Sequence, residues 1–228
     1  MGKNDNGNNG RTELVFVVDR SGSMGGLESD TIGGFNSMLS KQRTIAGECR
    51  VTTLLFDHRI ETLHNHLDIR EVNDLTSRDY WVRGSTALLD AIGLAIDRMI
   101  VTQRHTAAAY RAQHVLFVII TDGYENASRR YSLHQIKQMI TYERERYHWE
   151  FVFLGANIDA EQTAGDFGIS PRCATDFHAD GQGITASFEA VACAATAVRG
   201  GADLDDLSAP DFLGGVRDDY RSRRRMKR

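Results

Sequence analysis

Two rhythms of apolar residues run along this chain. Unbroken runs, such as Leu14-Val15-Phe16-Val17-Val18 and the VLFVII segment at 115–120, suit strands buried on both faces. The segments between them repeat apolar residues at helical spacing. Ile32, Phe35 and Leu39 predict a helix over 27–46. Leu88, Leu89, Ile92, Ala95, Ile96 and Met99 predict one over 86–103, where Gly93 suggests close packing onto the sheet. Ser132 and Gln135 have capping-box spacing and open a helix to about residue 147. A short helix is expected at 160–167 and an Ala-rich closing helix at 184–198. The predicted strands are 13–18, 50–56, 60–67, 114–121, 149–154 and one within 171–177. The tight Asp57-His58-Arg59 turn makes the second and third strands antiparallel. Elsewhere strands alternate with helices, which argues for a mainly parallel sheet with right-handed crossovers.

The first and fourth strands end alike. The first runs into Asp19-Arg20-Ser21-Gly22-Ser23, and the fourth into Asp122-Gly123. Thr86 stands at the mouth of the helix between them, where it also suits an N-cap. Were the two strands neighbours, two carboxylates and three hydroxyls would meet at one carboxyl edge. These are hard oxygen donors, suited to Mg²⁺ or a similar hard cation. Two charges under-neutralise a divalent cation and leave room for a ligand carboxylate. Taken alone, the first segment also reads as an ordinary turn whose Asp and Ser cap their own backbone.

In this order and on these elements, Asp19-x-Ser21-x-Ser23, Thr86 and Thr121-Asp122-Gly123 resemble the metal-ion-dependent adhesion site of the von Willebrand factor A domain. The resemblance runs from about residue 13 to about residue 200. It implies an α/β, doubly wound, mainly parallel six-stranded sheet of order 3-2-1-4-5-6. One edge strand would be antiparallel, with helices on both faces. It implies Mg²⁺ at the upper edge, with Mn²⁺ or Ca²⁺ as alternatives. Ser21, Ser23 and Thr86 would be the direct ligands, with Asp19 and Asp122 often acting through water. A partner's Asp or Glu would then bind the metal. Strands one and four would flank a topological switch point, where general sheet physics also places a ligand. Loop residues around that edge are candidates to set partner choice: Arg20, Met24, Glu28, Arg83, Tyr124, Glu125, Asn126, Asn157 and Asp159. Each also reads as a solvated loop side chain.

At 228 residues the chain suits one domain with tails. A polar, Asn/Gly-rich segment over 1–11 is expected to be disordered, the domain to fill 12–202, and a polar, basic tail to fill 203–228. That tail carries Arg221, Arg223, Arg224, Arg225, Lys227 and Arg228. From Arg217 on it reads as a solubilising disordered end, with contact to an acidic partner, RNA or DNA as the alternative. Asp203, Asp205, Asp206, Asp211, Asp218 and Asp219 lie upstream and are available to pair with it. The formal charge of -4 gives no global drive toward nucleic acid or membranes.

No eighteen-residue apolar run offers a membrane span. The first eleven residues lack an apolar signal core, so no export signal is expected. Cys49, Cys173 and Cys193 form no CxxC pair, and three unpaired thiols fit a reducing cytosol. Neither a Gly-x-Ser-x-Gly elbow nor a phosphate loop is present. His64 and His66, predicted to share a face of the third strand, could join Asp57 or His58 in a second metal site. They read more simply as polar face residues. The expectation is a cytoplasmic, non-enzymatic adaptor or scaffold of a stand-alone, bacterial or phage-like type. It would capture a protein partner's carboxylate through the metal. A metal-dependent hydrolase or nuclease, and metal-linked self-association, are the alternatives.

Overall fold

A computed structural model describes residues 10–208 and 210–226. The disorder expected over 1–11 falls outside the described residues, apart from Gly10 and Arg11. Six strands form one sheet: β1 (Thr12–Asp19), β2 (Cys49–Phe56), β3 (Ile60–Asp68), β4 (His114–Thr121), β5 (Glu150–Gly155) and β6 (Ala174–Asp176). Their order is β3-β2-β1-β4-β5-β6. All neighbouring pairs are parallel except β2 with β3. This is the doubly wound sheet that the alternation of strands and helices predicts. β1 lies at its centre, and Leu14 to Val18 are each at most 1% exposed. Burial on both faces is why that run shows no alternation. Each such side chain stabilises the fold by about 1.5–3 kcal/mol relative to exposure.

The helices are α1 (Glu28–Arg43), α2 (Leu88–His105), α3 (Leu133–Tyr147), α4 (Ala160–Asp166), α5 (Gly181–Arg199) and α6 (Gly214–Met226). α1 packs on α5, α5 on α6, and α2 on α3. Both halves of the Ser132–Gln135 capping box are made. α1 ends at Arg43, short of the predicted residue 46. Buried Arg199 donates to the carbonyls of Gln42, Ile45, Ala46 and Gly47 there, replacing a further helical turn. Gly93 does not serve the sheet. A Cβ there would stand 2.5 Å from the Tyr131 ring, so the close approach is to the loop after β4.

His64 and His66 do not share a face. The β2–β3 register shifts between Val51 and Thr53, and His66 has φ of 54°. This bulge breaks the two-residue alternation. His64 is buried, stacks on Phe35 of α1 and bonds Thr53 Oγ1 at 3.0 Å. His66 meets Glu13 at 2.8 Å, on the side of β1 opposite to Phe16, which packs on Phe35.

The segment after residue 202 is no disordered tail. Leu204, Leu213 and Val216 are buried, and α6 packs on α5 and β6. Arg217 donates to the carbonyls of Pro171, Arg172 and Ala174 at 3.0 Å each, occupying the outer edge of β6. The upstream acids do pair with basic groups. Asp211 holds Arg217 and Asp219 holds Arg223, while Asp205 holds Arg144 of α3. The many arginines hide the short apolar stripe, Leu213 and Val216, that docks the helix. Lys227 and Arg228 lie outside the described residues. Among the described residues no helix is long and apolar enough to cross a membrane.

Val216→Asp should place an unpaired charge at a buried position. We expect a loss of about 3 kcal/mol in chemical denaturation, with new trypsin cleavage between residues 217 and 225. Unchanged stability and unchanged cleavage would mean that the segment is a tail after all.

Candidate metal centre

β1 and β4 are hydrogen-bonded neighbours, so their carboxyl ends share one edge of the sheet. Asp19 closes β1 and is fully buried, and Asp122 follows β4 at 1% exposure. Ser21 N–H donates to Asp19 Oδ1 at 2.6 Å, and Thr121 Oγ1 donates to Asp19 Oδ2 at 2.6 Å. Ser21 Oγ and Ser23 Oγ are 3.1 Å apart, and Ser23 Oγ donates to Asp122 Oδ1. Gly123 completes the cradle. A Cβ there would stand 3.3 Å from Ser23 Oγ and 3.5 Å from Thr86 Oγ1. Asp19, Ser21, Ser23, Thr86 and Asp122 therefore converge, as their spacing predicts.

Two buried carboxylates at one edge are costly. Burial is the main force raising the Asp19 carboxyl above its ordinary range, with bonds from Thr121 and Ser21 opposing it. Asp122 is pushed up to about 6, chiefly by burial. The Ser23 bond opposes that shift and the charge of Asp19 adds to it. Asp122 Oδ2 is buried with no hydrogen-bond partner. Three hydroxyls, two carboxylates and one orphaned oxygen, without sulfur or imidazole, fit a hard divalent cation. Among the described residues no three His, Cys, Asp or Glu side chains gather as a metal cluster, so the alternative of a second site at His64 and His66 is not formed.

The loops are held by more than the motif. Thr86 is not the N-cap of α2. Ala87 is, and its side chain makes no cap bond. The free amides at that helix end are taken by the loop after β4. Asn126 Oδ1 accepts from Thr86 N at 2.9 Å, Glu125 Oε2 from Leu89 N at 2.9 Å, and Ser128 Oγ from Asp90 N at 3.0 Å. Glu125 also accepts from Ala127 N and Ser128 N. This stitching leaves the Thr86 hydroxyl beside Gly123, and it ties up Glu125 and Asn126, which sequence reading places among rim residues.

Arg20 and Met24, also expected at the rim, are fully buried. Arg20 and Arg83 both donate to Asp57, at 3.1 and 2.8 Å, and Arg59 N adds a third bond at 2.8 Å. These bonds hold the Asp57 carboxyl below its usual range although burial alone would raise it. Gly22 N also donates to Gly84 O at 3.1 Å, and Ala87 N to Asp57 O at 2.9 Å. Asp57 thus joins the first metal loop to the second. Glu28 accepts from Gly26 N, and Asp159 caps α4. Tyr124, 62% exposed, and Asn157 face solvent.

Sequence reading gives no role to Tyr80, names Thr121 only within the motif, and offers Asp57 as a turn residue or a ligand of the second metal site rather than as a fastener. Tyr80 is buried and its hydroxyl donates to Asp19 O at 2.6 Å. Thr121 was legible in principle as the residue before Asp122. Tyr80 carried no local signal.

No family model matches the chain, and no curated protein matches it. Solved structures do. Proximal thread matrix protein 1 from the mussel byssus, with a zinc-occupied MIDAS motif, has a TM-score of 0.58 at 15% identity. That match covers 82% of this chain and 46% of the mussel protein. Manganese-loaded TRAP protein of Plasmodium vivax has a TM-score of 0.53 at 15% identity, covering 78% of this chain and 72% of that one. A von Willebrand factor type A structure from Catenulispora acidiphila has a TM-score of 0.53 at 10% identity, covering 80% and 42%. This chain has the von Willebrand factor A fold. It spans less than half of the mussel protein. At these identities the A-domain likeness establishes the fold, and the metal centre rests on the geometry above.

An acid whose folded pKa is raised favours folding while protonated. For Asp122 that contribution is present below the unfolded value of about 3.9 and is lost as pH rises to about 6. Without metal, Asp122→Asn should therefore melt higher than the wild type above pH 6, and the gap should close toward pH 4. Mn²⁺ and Mg²⁺ should bind the wild type more tightly at pH 7 than at pH 5, because protons compete for the same oxygens. Thermal denaturation and calorimetric titration measure both. Equal affinity at the two pH values would count against the site.

Proposed function

We propose that this chain is a metal-dependent protein-binding module that captures an acidic side chain of a partner protein. The observation that carries this reading is the orphaned Asp122 Oδ2, buried beside Asp19 and three hydroxyls at the sheet edge. Ser21, Ser23 and Thr86 would hold the cation, with Asp19 and Asp122 supplying charge. Mg²⁺ suits this oxygen set, with Mn²⁺ or Ca²⁺ as alternatives. When bound, such an ion supplies an open coordination position for a carboxylate. The protein's part is to keep its own oxygens fixed. Thr121, Ser21 and Tyr80 anchor Asp19, and the Glu125 and Asn126 stitching anchors Thr86.

The reading is of a binding module rather than an enzyme. Asp19 is engaged by Thr121 and Ser21, and Asp122 Oδ1 by Ser23; the free Asp122 Oδ2 is read as an oxygen facing the cation rather than as a general base. Tyr124 is an exposed aromatic on the loop after β4, of the kind that anchors protein interfaces. Tyr124 and Asn157 are proposed to touch the partner, with Glu28 and Asp159 at the margin. A cytosolic location suits three free thiols, two of them buried. The role proposed for such a module is that of an adaptor in a multi-protein system.

Capture from source-cell lysate tests the reading, with wild type, Asp19→Ala and Ser21→Ala/Ser23→Ala each in Mg²⁺ and in EDTA. We expect a partner retained only by the wild type in Mg²⁺, with all three proteins folded. The same proteins recovered from every sample would mean that the metal site is idle in recognition.

A further inference from the structure

A second site lies at the opposite edge of the sheet, where the chain enters β4 and β5. A cavity of about 170 Å³ opens there between the C-terminal halves of α2 and α3. Ile100, Ala112, Tyr147 and Trp149 form its apolar walls, and Arg104, Arg111 and Glu143 supply its charged groups, with Arg111 donating to Thr106 O. Trp149 is fixed by stacking on Phe117, which stacks in turn on Phe151. The cavity continues outward into the groove between the two helices, which Ile100, Arg104 and Glu143 also line.

Glu143 is the anomaly. It is 3% exposed, yet among the described residues its carboxylate takes part in no hydrogen bond or ion pair. Burial raises its carboxyl above the ordinary range, and only the field of Arg104 opposes this. Arg104 likewise forms no ion pair among the described residues. The Glu143 carboxylate lines the cavity, and a carboxylate drawn out of bulk water without a donor favours a ligand that supplies one. An acceptor and a donor thus face one small space with aromatic walls. A cavity of about 150 Å³ holds one benzene ring, so this one has room for a hydroxyphenyl ring, with a para substituent reaching into the outward groove.

The geometry points to a binding site for a hydroxyaryl group, a phenol or a tyrosine side chain. Its O–H donates to Glu143, its oxygen accepts from Arg104, and its ring lies against Trp149 and Tyr147. The site is independent of the metal centre and of the function proposed for it. A bare phenyl ring would fill the same walls but leave Glu143 and Arg104 unpaired. That is the situation in which recognition of a hydroxyl becomes selective.

The full chain is titrated with N-acetyltyrosinamide, N-acetylphenylalaninamide and p-cresol, with no metal added. Binding is read from the indole N–H signal of Trp149 in two-dimensional NMR, assigned with Trp81→Phe. We expect the tyrosine amide to bind at least about tenfold more tightly than the phenylalanine amide. In Glu143→Leu the ratio should fall to about one, while the melting temperature holds or rises because a buried unpaired carboxylate is gone. Tighter binding of p-cresol than of the tyrosine amide would assign a free phenol, and the reverse a polypeptide tyrosine. Equal binding of the two amides by the wild type, a ratio that survives in Glu143→Leu, or an unmoved Trp149 signal would overturn the site.

Discussion

Two carboxylates, Asp19 and Asp122, are buried side by side where β1 and β4 end. Much of the upper edge can be understood as the means of holding them there. Burial strips both of hydration and raises both carboxyls, and the charge of Asp19 adds to the rise at Asp122. The hydrogen bonds from Thr121, Ser21 and Ser23 offset part of that cost. One oxygen of Asp122 receives nothing. A bound cation would supply what this arrangement lacks. The same arrangement makes the metal-free protein less stable than its core alone would allow, a common feature of binding sites.

Buried acids in this molecule separate by how they are satisfied. Asp57 accepts from two arginines and a backbone amide, and its carboxyl is held low. It is a fastener that joins the first and second metal loops. Asp90 accepts three consecutive amides of the loop after β4 and works in the same way. Asp122 and Glu143 are incompletely satisfied, and their carboxyls are raised. The first pair holds the loops, whereas the second pair marks the places where something from outside is expected to bind. Burial alone would not have distinguished them, but the donor census does.

The far edge of the sheet follows a related logic. β6 has three residues and would expose its outer carbonyls. The Arg217 guanidinium covers the Ala174 carbonyl there and those of Pro171 and Arg172 just before it, and Leu213 and Val216 seat the helix that carries it. A long cationic side chain thus does what a seventh strand would do, without offering a new edge to pair with.

The strand runs, the order of elements and the convergence of the five candidate metal-site positions were legible in the sequence. Each depends on local chemistry: a strand buried on both faces must be apolar throughout, and a turn at its end must present its acid and hydroxyls at that edge. What the sequence could not supply were facts fixed by contacts between distant segments. Arg20 and Met24 follow an exposed-looking turn, yet the neighbouring strand and loops bury them. Glu125 and Asn126 look like free loop residues, and only the position of the α2 amides shows that they are its caps. The bulge at His66 turned two alternating histidines to opposite faces. Arginines outnumbered the apolar residues that dock α6, so composition concealed a packed helix. By itself the sequence determined which strands are central and which side chains could bind a metal, because periodicity and turn chemistry act over a few residues. Only the tertiary structure decided which polar groups find partners, because those partners come from across the chain.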